Sequence, residues 1–188
     1  AGDNADLTAI QLDNTDHASG ETGQGVQAVF RLSKAGTIRD AAIIKVGKDD
    51  DWDDAAASDS HMTFSTRLND TLAEKVRIDS AGNVGIGKAP ETWASSLQGG
   101  SLHVGAAGVI ASQKAFTDGG SMYIGNNVYV DDGGDYTYIG SDEASIIQQF
   151  DGKIRFYTTS TSGSAGATIS DLTEIFTCLN TGNIGIGD

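Results

Sequence analysis

A single proline, Pro90, and a single cysteine, Cys178, stand in a chain of 188 residues. One proline excludes a collagen-like chain despite 25 glycines, because the collagen triple helix needs abundant imino acid beside its periodic glycine. One cysteine excludes an intrachain disulfide framework. Aromatic residues make up only 7 % of the chain and apolar residues come in short runs, so one copy has little with which to build a thick core. No apolar run approaches the ~20 residues of a membrane helix, and the start, Ala1-Gly2-Asp3-Asn4, does not read as a signal peptide. A soluble chain without membrane insertion is expected. Basic residues are scarce too: 12 Lys and Arg against 26 Asp and Glu leave a net charge of −14. That balance argues against nucleic acid and anionic lipid as partners, since both are held by Lys and Arg.

What the chain does have is an internal repeat. Arg77-Ile78-Asp79-Ser80-Ala81-Gly82-Asn83-Val84-Gly85-Ile86-Gly87 returns as Thr177-Cys178-Leu179-Asn180-Thr181-Gly182-Asn183-Ile184-Gly185-Ile186-Gly187. Leu72 matches Leu172 and Glu74 matches Glu174, so seven of the sixteen positions counted from those leucines are identical. Each copy reads as strand, tight turn, strand, with apolar residues alternating along both arms. Gly82 and Gly182 fall where a short hairpin loop needs positive φ. Gly85, Gly87, Gly185 and Gly187 interrupt a strand, where glycine usually marks the close approach of another backbone. Cys178 takes the place of Ile78, which predicts a buried small apolar side chain rather than a nucleophile.

The stretch from Val76 to Gly87 resembles a motif that recurs in tail fibres and tail-tip adhesins of tailed bacteriophages, often just upstream of an endosialidase-type intramolecular chaperone domain. Asp13-Asn14-Thr15-Asp16, Met62-Thr63-Phe64-Ser65-Thr66-Arg67, Tyr123-Ile124-Gly125-Asn126-Asn127 and Tyr136-Thr137-Tyr138-Ile139 are similar to other segments of such fibres. The resemblance implies an elongated, β-prism-like fibre segment in an intertwined homotrimer, located extracellularly on the virion. It also implies a chaperone domain that follows the second motif, either cleaved off or lying outside this sequence. Other virion tail proteins and a bacterial surface glycan or protein receptor are the implied partners. Self-association itself follows from the thin core, since small units that cannot bury their own faces can bury them against copies of themselves.

The rest of the chain reads as all-β in two repeat units, 1–88 and 101–188, joined by a linker at 89–100. A short strand is expected near 7–12, a hairpin over 26–32 and 38–46, and a strand at 62–67. Beyond the linker, strands are expected at 101–104, 109–112, 121–130, 136–140, 145–150 and 153–159, separated by Gly-Gly and Asp-Gly turns. The one helix candidate is 90–98, with Pro90 at a first helical position, Glu91 in the first turn, and Trp93 and Leu97 on one face.

No constellation supports an enzyme. His17, His61 and His103 are isolated, and neither a Gly-x-Ser-x-Gly elbow nor a His-Glu-x-x-His zinc motif is present. Two acidic clusters, Asp49, Asp50, Asp51, Asp53 and Asp54, then Asp131, Asp132 and Asp135, have the oxygen chemistry for Ca²⁺, although neither has EF-hand spacing. An acidic run is more often a solvated loop. Tyr123, Tyr129, Tyr136 and Tyr138 are candidates for stacking on a glycan, against the commoner role of strand residues that bury a ring and solvate a hydroxyl. Trp52 is the residue expected to contact a receptor, because loops on a rigid scaffold carry binding. At least one of the loops 49–60 and 158–168 is expected to face outward and to be mobile. A polysaccharide depolymerase, and a purely structural shaft or cellular surface fibre, remain the alternatives to an adhesive fibre.

Overall fold

The computed structural model describes residues 11–15, 23–50, 52, 58–93, 100–113 and 120–187. All regular structure among them is β, and the chain divides into two compact units, Ala1–Ala73 and Glu74–Asp188.

In the first unit, β1 (Gly25–Lys34), β2 (Thr37–Lys48) and β3 (Ser60–Leu68) pair antiparallel in sequence order. The expected hairpin turns on Ala35 and Gly36, both left-handed at φ 52° and 84°, the conformation a two-residue loop needs to match strand twist. Alternation puts Val26, Val46 and Met62 in one cross-strand row and Ala28, Ile44 and Phe64 in the next. No described apolar side chain of this unit is buried. The strand expected near 7–12 lies mostly outside the described residues, and residues 11–15 form no strand.

The chain divides inside β4 (Thr71–Ile78), and the second unit continues with β5 (Val84–Ile86), β6 (Ser101–Val104), β7 (Gly108–Ser112) and β8 (Ser121–Asn126). Next come β9 (Val128–Val130), β10 (Tyr136–Tyr138), β11 (Ser145–Phe150), β12 (Lys153–Thr158), β13 (Thr173–Cys178) and β14 (Ile184–Ile186). The main sheet runs β4-β5-β6-β7-β8-β11-β12-β13-β14, with β9 and β10 forming a separate ribbon. Every pair is antiparallel except β5 with β6.

That parallel pair corrects the expected boundary. Residues 89–100 were read as a linker between repeat units, but Val84, Gly85 and Ile86 pair with Leu102, His103 and Val104 across it. The first repeated hairpin therefore belongs to the second unit. No helix begins at Pro90: residues 90–93 are irregular, and 94–99 lie outside the described residues. Trp93 is instead a core residue, 1 % exposed.

Among the described residues the core lies in the second unit, between the main sheet and the ribbon. Val109, Ala111, Tyr123 and Ile146 from the sheet meet Val128, Val130 and Tyr138 from the ribbon, with Trp93, Ala144 and Ile169 closing the edges. The expected strand 121–130 is broken to allow this. Asn127 adopts φ 59°, and its buried side-chain amide donates to the carbonyls of Gly140, Asp142 and Glu143 at 2.9 to 3.2 Å. Its Oδ1 accepts from Gly140 N–H at 2.6 Å. The chain is thereby folded from sheet to ribbon with its turn donors and acceptors satisfied.

Candidate functional site

The two repeated hairpins adopt one geometry. Ile78 pairs with Val84 and Val76 with Ile86, as Cys178 pairs with Ile184 and Phe176 with Ile186. Gly82 and Gly182 have φ 86° and 85°, and each donates its N–H to the residue three before it, Asp79 or Leu179, at 3.0 Å. Gly87 and Gly187 are left-handed too, and donate to Lys75 and Ile175 at 2.8 and 3.0 Å. The second glycine of each pair thus serves the turn out of the strand, not a packing contact.

Register then assembles a surface. Following cross-strand partners from β4 to β14 gives Ile78, Val84, Leu102, Ile110, Ile124, Ile147, Phe156, Phe176 and Ile186. Directly paired residues share a face, so this is an unbroken apolar ladder across every strand of the main sheet. It lies opposite the core: the alternate residues Val109 and Ile146 are 3 % exposed, whereas Ile110 is 39 %, Ile124 41 % and Ile186 82 % exposed. No rung is buried. A parallel row adds Met122, Ile154, Cys178 and Ile184 on the same face. Cys178 is a free thiol on this uncovered face, half-buried instead of buried as its match with Ile78 predicts.

Beneath the core face the aromatic residues serve packing. The Tyr138 ring lies against the backbone of Gly163, where a Cβ would come within 2.0 Å of it, and its hydroxyl donates to Thr161 O at 3.1 Å. Tyr123 accepts from Gln148 at 3.3 Å and stacks edge-on with Tyr136. Burial pushes the Tyr136, Tyr129 and Tyr157 phenols up from their ordinary value. None of the four candidate tyrosines presents an open face: Tyr123 and Tyr138 are buried, Tyr129 and Tyr136 half-buried.

Of the acidic candidates, Asp51, Asp53 and Asp54 lie outside the described residues. Asp49 Oδ1 accepts from His61 Nδ1–H at 2.5 Å, and Asp50 is exposed. Asp131 is a turn cap: Oδ1 accepts from Gly133 N–H at 2.9 Å and Asp135 N–H at 3.1 Å, while Oδ2 accepts from Thr137 at 3.0 Å. These donors, the Asp135 N–H foremost, hold its carboxyl below the ordinary value. Asp132 and Asp135 point to solvent. Among the described residues no three metal-ligating side chains converge. A cation at Asp131 would have to displace the donors that form the turn.

Trp52 is 45 % exposed. Its indole donates to Asp59 O at 2.9 Å and Lys48 Nζ sits 5.5 Å from its ring centroid, so one face of the ring is fixed and braced. The ring borders a groove of about 330 Å³ with Leu12, Asn14, Val26, Val46 and Lys48. The second expected loop, 158–168, is strapped down. Asp171 Oδ2 accepts from the N–H and hydroxyl of both Ser160 and Thr161 at 2.9 to 3.1 Å. Tyr138 N–H donates to Ala167 O and Gly166 N–H to Tyr138 O. Serine and threonine here act as donors to a single carboxylate, and nothing in their local sequence announced Asp171 as the acceptor.

No protein-family model matches the chain, and no curated protein matches it in sequence. Among the described residues no helix is long and apolar enough to cross a membrane.

Proposed function

We propose that this chain is a structural and host-adhesion segment of a bacteriophage tail fibre, working as a homotrimer on the virion and binding the bacterial surface through repeated weak contacts. The observation that carries the reading is the apolar ladder from Ile78 to Ile186. Soluble monomers rarely expose a contiguous apolar strip of that length, and such strips mark association surfaces. The first unit adds to the demand, since its three strands bury no apolar side chain of their own. Copies of the chain packed ladder to ladder bury what one copy leaves in water.

The phage assignment rests on the hairpin Gly-Asn-Val-Gly-Ile-Gly, repeated as Gly-Asn-Ile-Gly-Ile-Gly, and its resemblance to tail-fibre motifs. Adhesion then needs no single tight site. Three copies present three equivalent surfaces, and linked weak contacts gain through effective concentration. The Trp52 groove is the surface best suited to a glycan, because a braced aromatic ring beside polar groups loses little entropy on stacking.

Light scattering of the purified protein at micromolar concentration tests the assembly, with threefold the 19.4 kDa chain mass expected. A folded monomer at that concentration contradicts it. Binding to a panel of bacterial cells tests the adhesion, with Trp52→Ala expected to weaken it while leaving the oligomer intact. Release of soluble sugar from envelope material would instead identify a depolymerase.

A further inference from the structure

In a chain with a net charge of −14, positive charge gathers at one end of the first unit. Arg31, Lys34, Arg39 and Arg67 lie there with Asp40 and Asp70, four cations to two carboxylates. Two turns make this end. β1 joins β2 at Ala35-Gly36, and β3 joins β4 at Asn69-Asp70, left-handed at φ 48° and 63°. Antiparallel pairing of β1, β2 and β3 brings both turns to the same end of the sheet, and Lys34 Nζ ties them together by meeting Asp70 Oδ2 at 3.1 Å. Between the turns β2 carries one extra residue: Phe30 pairs with Ala42 and Arg31 with Asp40, so Ala41 has no partner on β1. Such a bulge bends its strand and re-aims the side chains beside it. The result is a groove of about 390 Å³ bounded by Leu32, Ser33, Lys34, Arg39, Arg67 and Asp70.

The four cations differ in what they meet. Arg31 is paired with Asp40 at 2.8 Å and Lys34 with Asp70. Arg67 is held by backbone: Nε donates to Asp40 O and a terminal nitrogen to Asp70 O, both at 2.6 Å. Carbonyl oxygens position a guanidinium without cancelling its charge, and its five N–H donors leave some for an anion. Arg39 is exposed and forms no ion pair among the described residues. Burying an unpaired arginine against another copy would be costly, so this end of the sheet is poorly suited to self-association. Leu32, 69 % exposed, adds an apolar wall.

We propose that this groove binds an acidic sugar, with the sugar's carboxylate or phosphate held between Arg39 and Arg67. Guanidinium groups pair with either anion in a bidentate fork. Leu32 takes a C–H face of the ring, and the Asp70 carboxylate accepts from ring hydroxyls. That carboxylate favours a sugar over an acidic peptide, whose repeated carboxylates would meet repulsion there. The volume is near the lower end of small-ligand sites. The groove lies at the opposite end of β1 from the Trp52 groove, since the rise from Val26 to Leu32 is roughly 20 Å, and the two are separate sites. Binding here does not rest on the fibre reading.

NMR titration of the isotope-labelled whole protein with a galacturonic acid trisaccharide, and separately with a glucose monophosphate, tests it. Saturable shifts at the backbone amides of residues 38–41 and 67–70 are expected with at least one of them, and the one that binds identifies the anion. Arg39→Gln should weaken binding about tenfold, as loss of a charged hydrogen-bonded partner predicts, with circular dichroism unchanged because that side chain is exposed. Arg39→Lys should restore only part of the affinity, since a lysine cannot form the fork. Absence of saturable shifts with both sugars, or binding indifferent to Arg39→Gln, overturns the proposal. An equal response to a neutral galactose trisaccharide overturns it by showing that charge is not read. Inorganic phosphate or acetate binding as tightly as the matching sugar would mean an adventitious ion only, and overturns it too. Shifts at the same amides that grow with protein concentration without sugar overturn it in favour of an acidic segment of a second copy.

Discussion

Trp93 donates its indole N–H to Nε2 of His103 across 2.7 Å, with both side chains 1 % exposed. Nε2 is thus an acceptor, which places the imidazole proton on Nδ1 and makes His103 neutral. Burial lowers its pKa from the ordinary 6.5, against a smaller upward pull from Glu91. The rings meet edge to face at 5.8 Å, and the pair seals the irregular segment after Pro90 onto the start of β6.

The first prediction follows from that pair. A histidine whose folded pKa is depressed binds fewer protons than in the unfolded chain, so stability falls as pH drops through the unfolded value of 6.5. Its contribution is complete above that value. Thermal unfolding followed from about pH 7.5 to pH 5 should show a decline in Tm that is shallower in His103→Gln, whose side chain accepts the indole N–H without titrating. Equal slopes would show that His103 is not the group responsible.

The second concerns the ladder. Ile124 is a central rung, 41 % exposed, while Val109 on the opposite face is 3 % exposed. Ile124→Lys should weaken self-association tenfold or more, by roughly the loss expected of a central contact, and leave circular dichroism unchanged. Val109→Ala should instead lower unfolding stability by about 2 kcal/mol. Sedimentation and urea unfolding separate the two effects, and an unaltered oligomer in Ile124→Lys would mean the ladder is not the interface.

The third separates the two strand glycines. Gly85→Ala places a Cβ 2.0 Å from Lys88 O within the same chain, so backbone must move at a cost of about 2 kcal/mol. Gly185→Ala meets only a threonine methyl at 3.0 Å, and its effect should stay within about 1 kcal/mol. Urea unfolding of the two variants gives the ranking. Within the chain, Gly85 lies against its own backbone, whereas Gly185 meets only a side-chain methyl.

The fourth rests on Asp171. Its carboxyl is held below the ordinary 3.8, first by the Thr161 hydroxyl and then by Ser160 and the two backbone N–H groups. A depressed carboxylate contributes stability that is present above its unfolded pKa and lost as pH falls through the folded one. In a carboxyl NMR titration Asp171 should titrate below 3.8, and Thr161→Val should move its midpoint upward. A midpoint unmoved by that change would assign the shift to the backbone donors alone.

Local pattern made much of this protein legible. Two-residue alternation marked β1, β2, β3, β6, β11 and β12 to within a few residues, because strand side chains must alternate between faces. Ala35-Gly36, Gly82 and Gly182 announced their turns because left-handed backbone strongly favours glycine. The match of Cys178 to Ile78 placed that thiol on an apolar face before any fold was known. Tertiary structure decided the rest, since non-local pairing has no local signature. That β5 runs beside β6 erased the expected linker and put Trp93 in a core instead of on a helix. Asp171 and Asn127 do their work through partners 10 to 16 residues away, and the ladder exists only because nine strands came into one register. The sequence specified the apolar side chains, whereas pairing across strands decided that they share a single uncovered face.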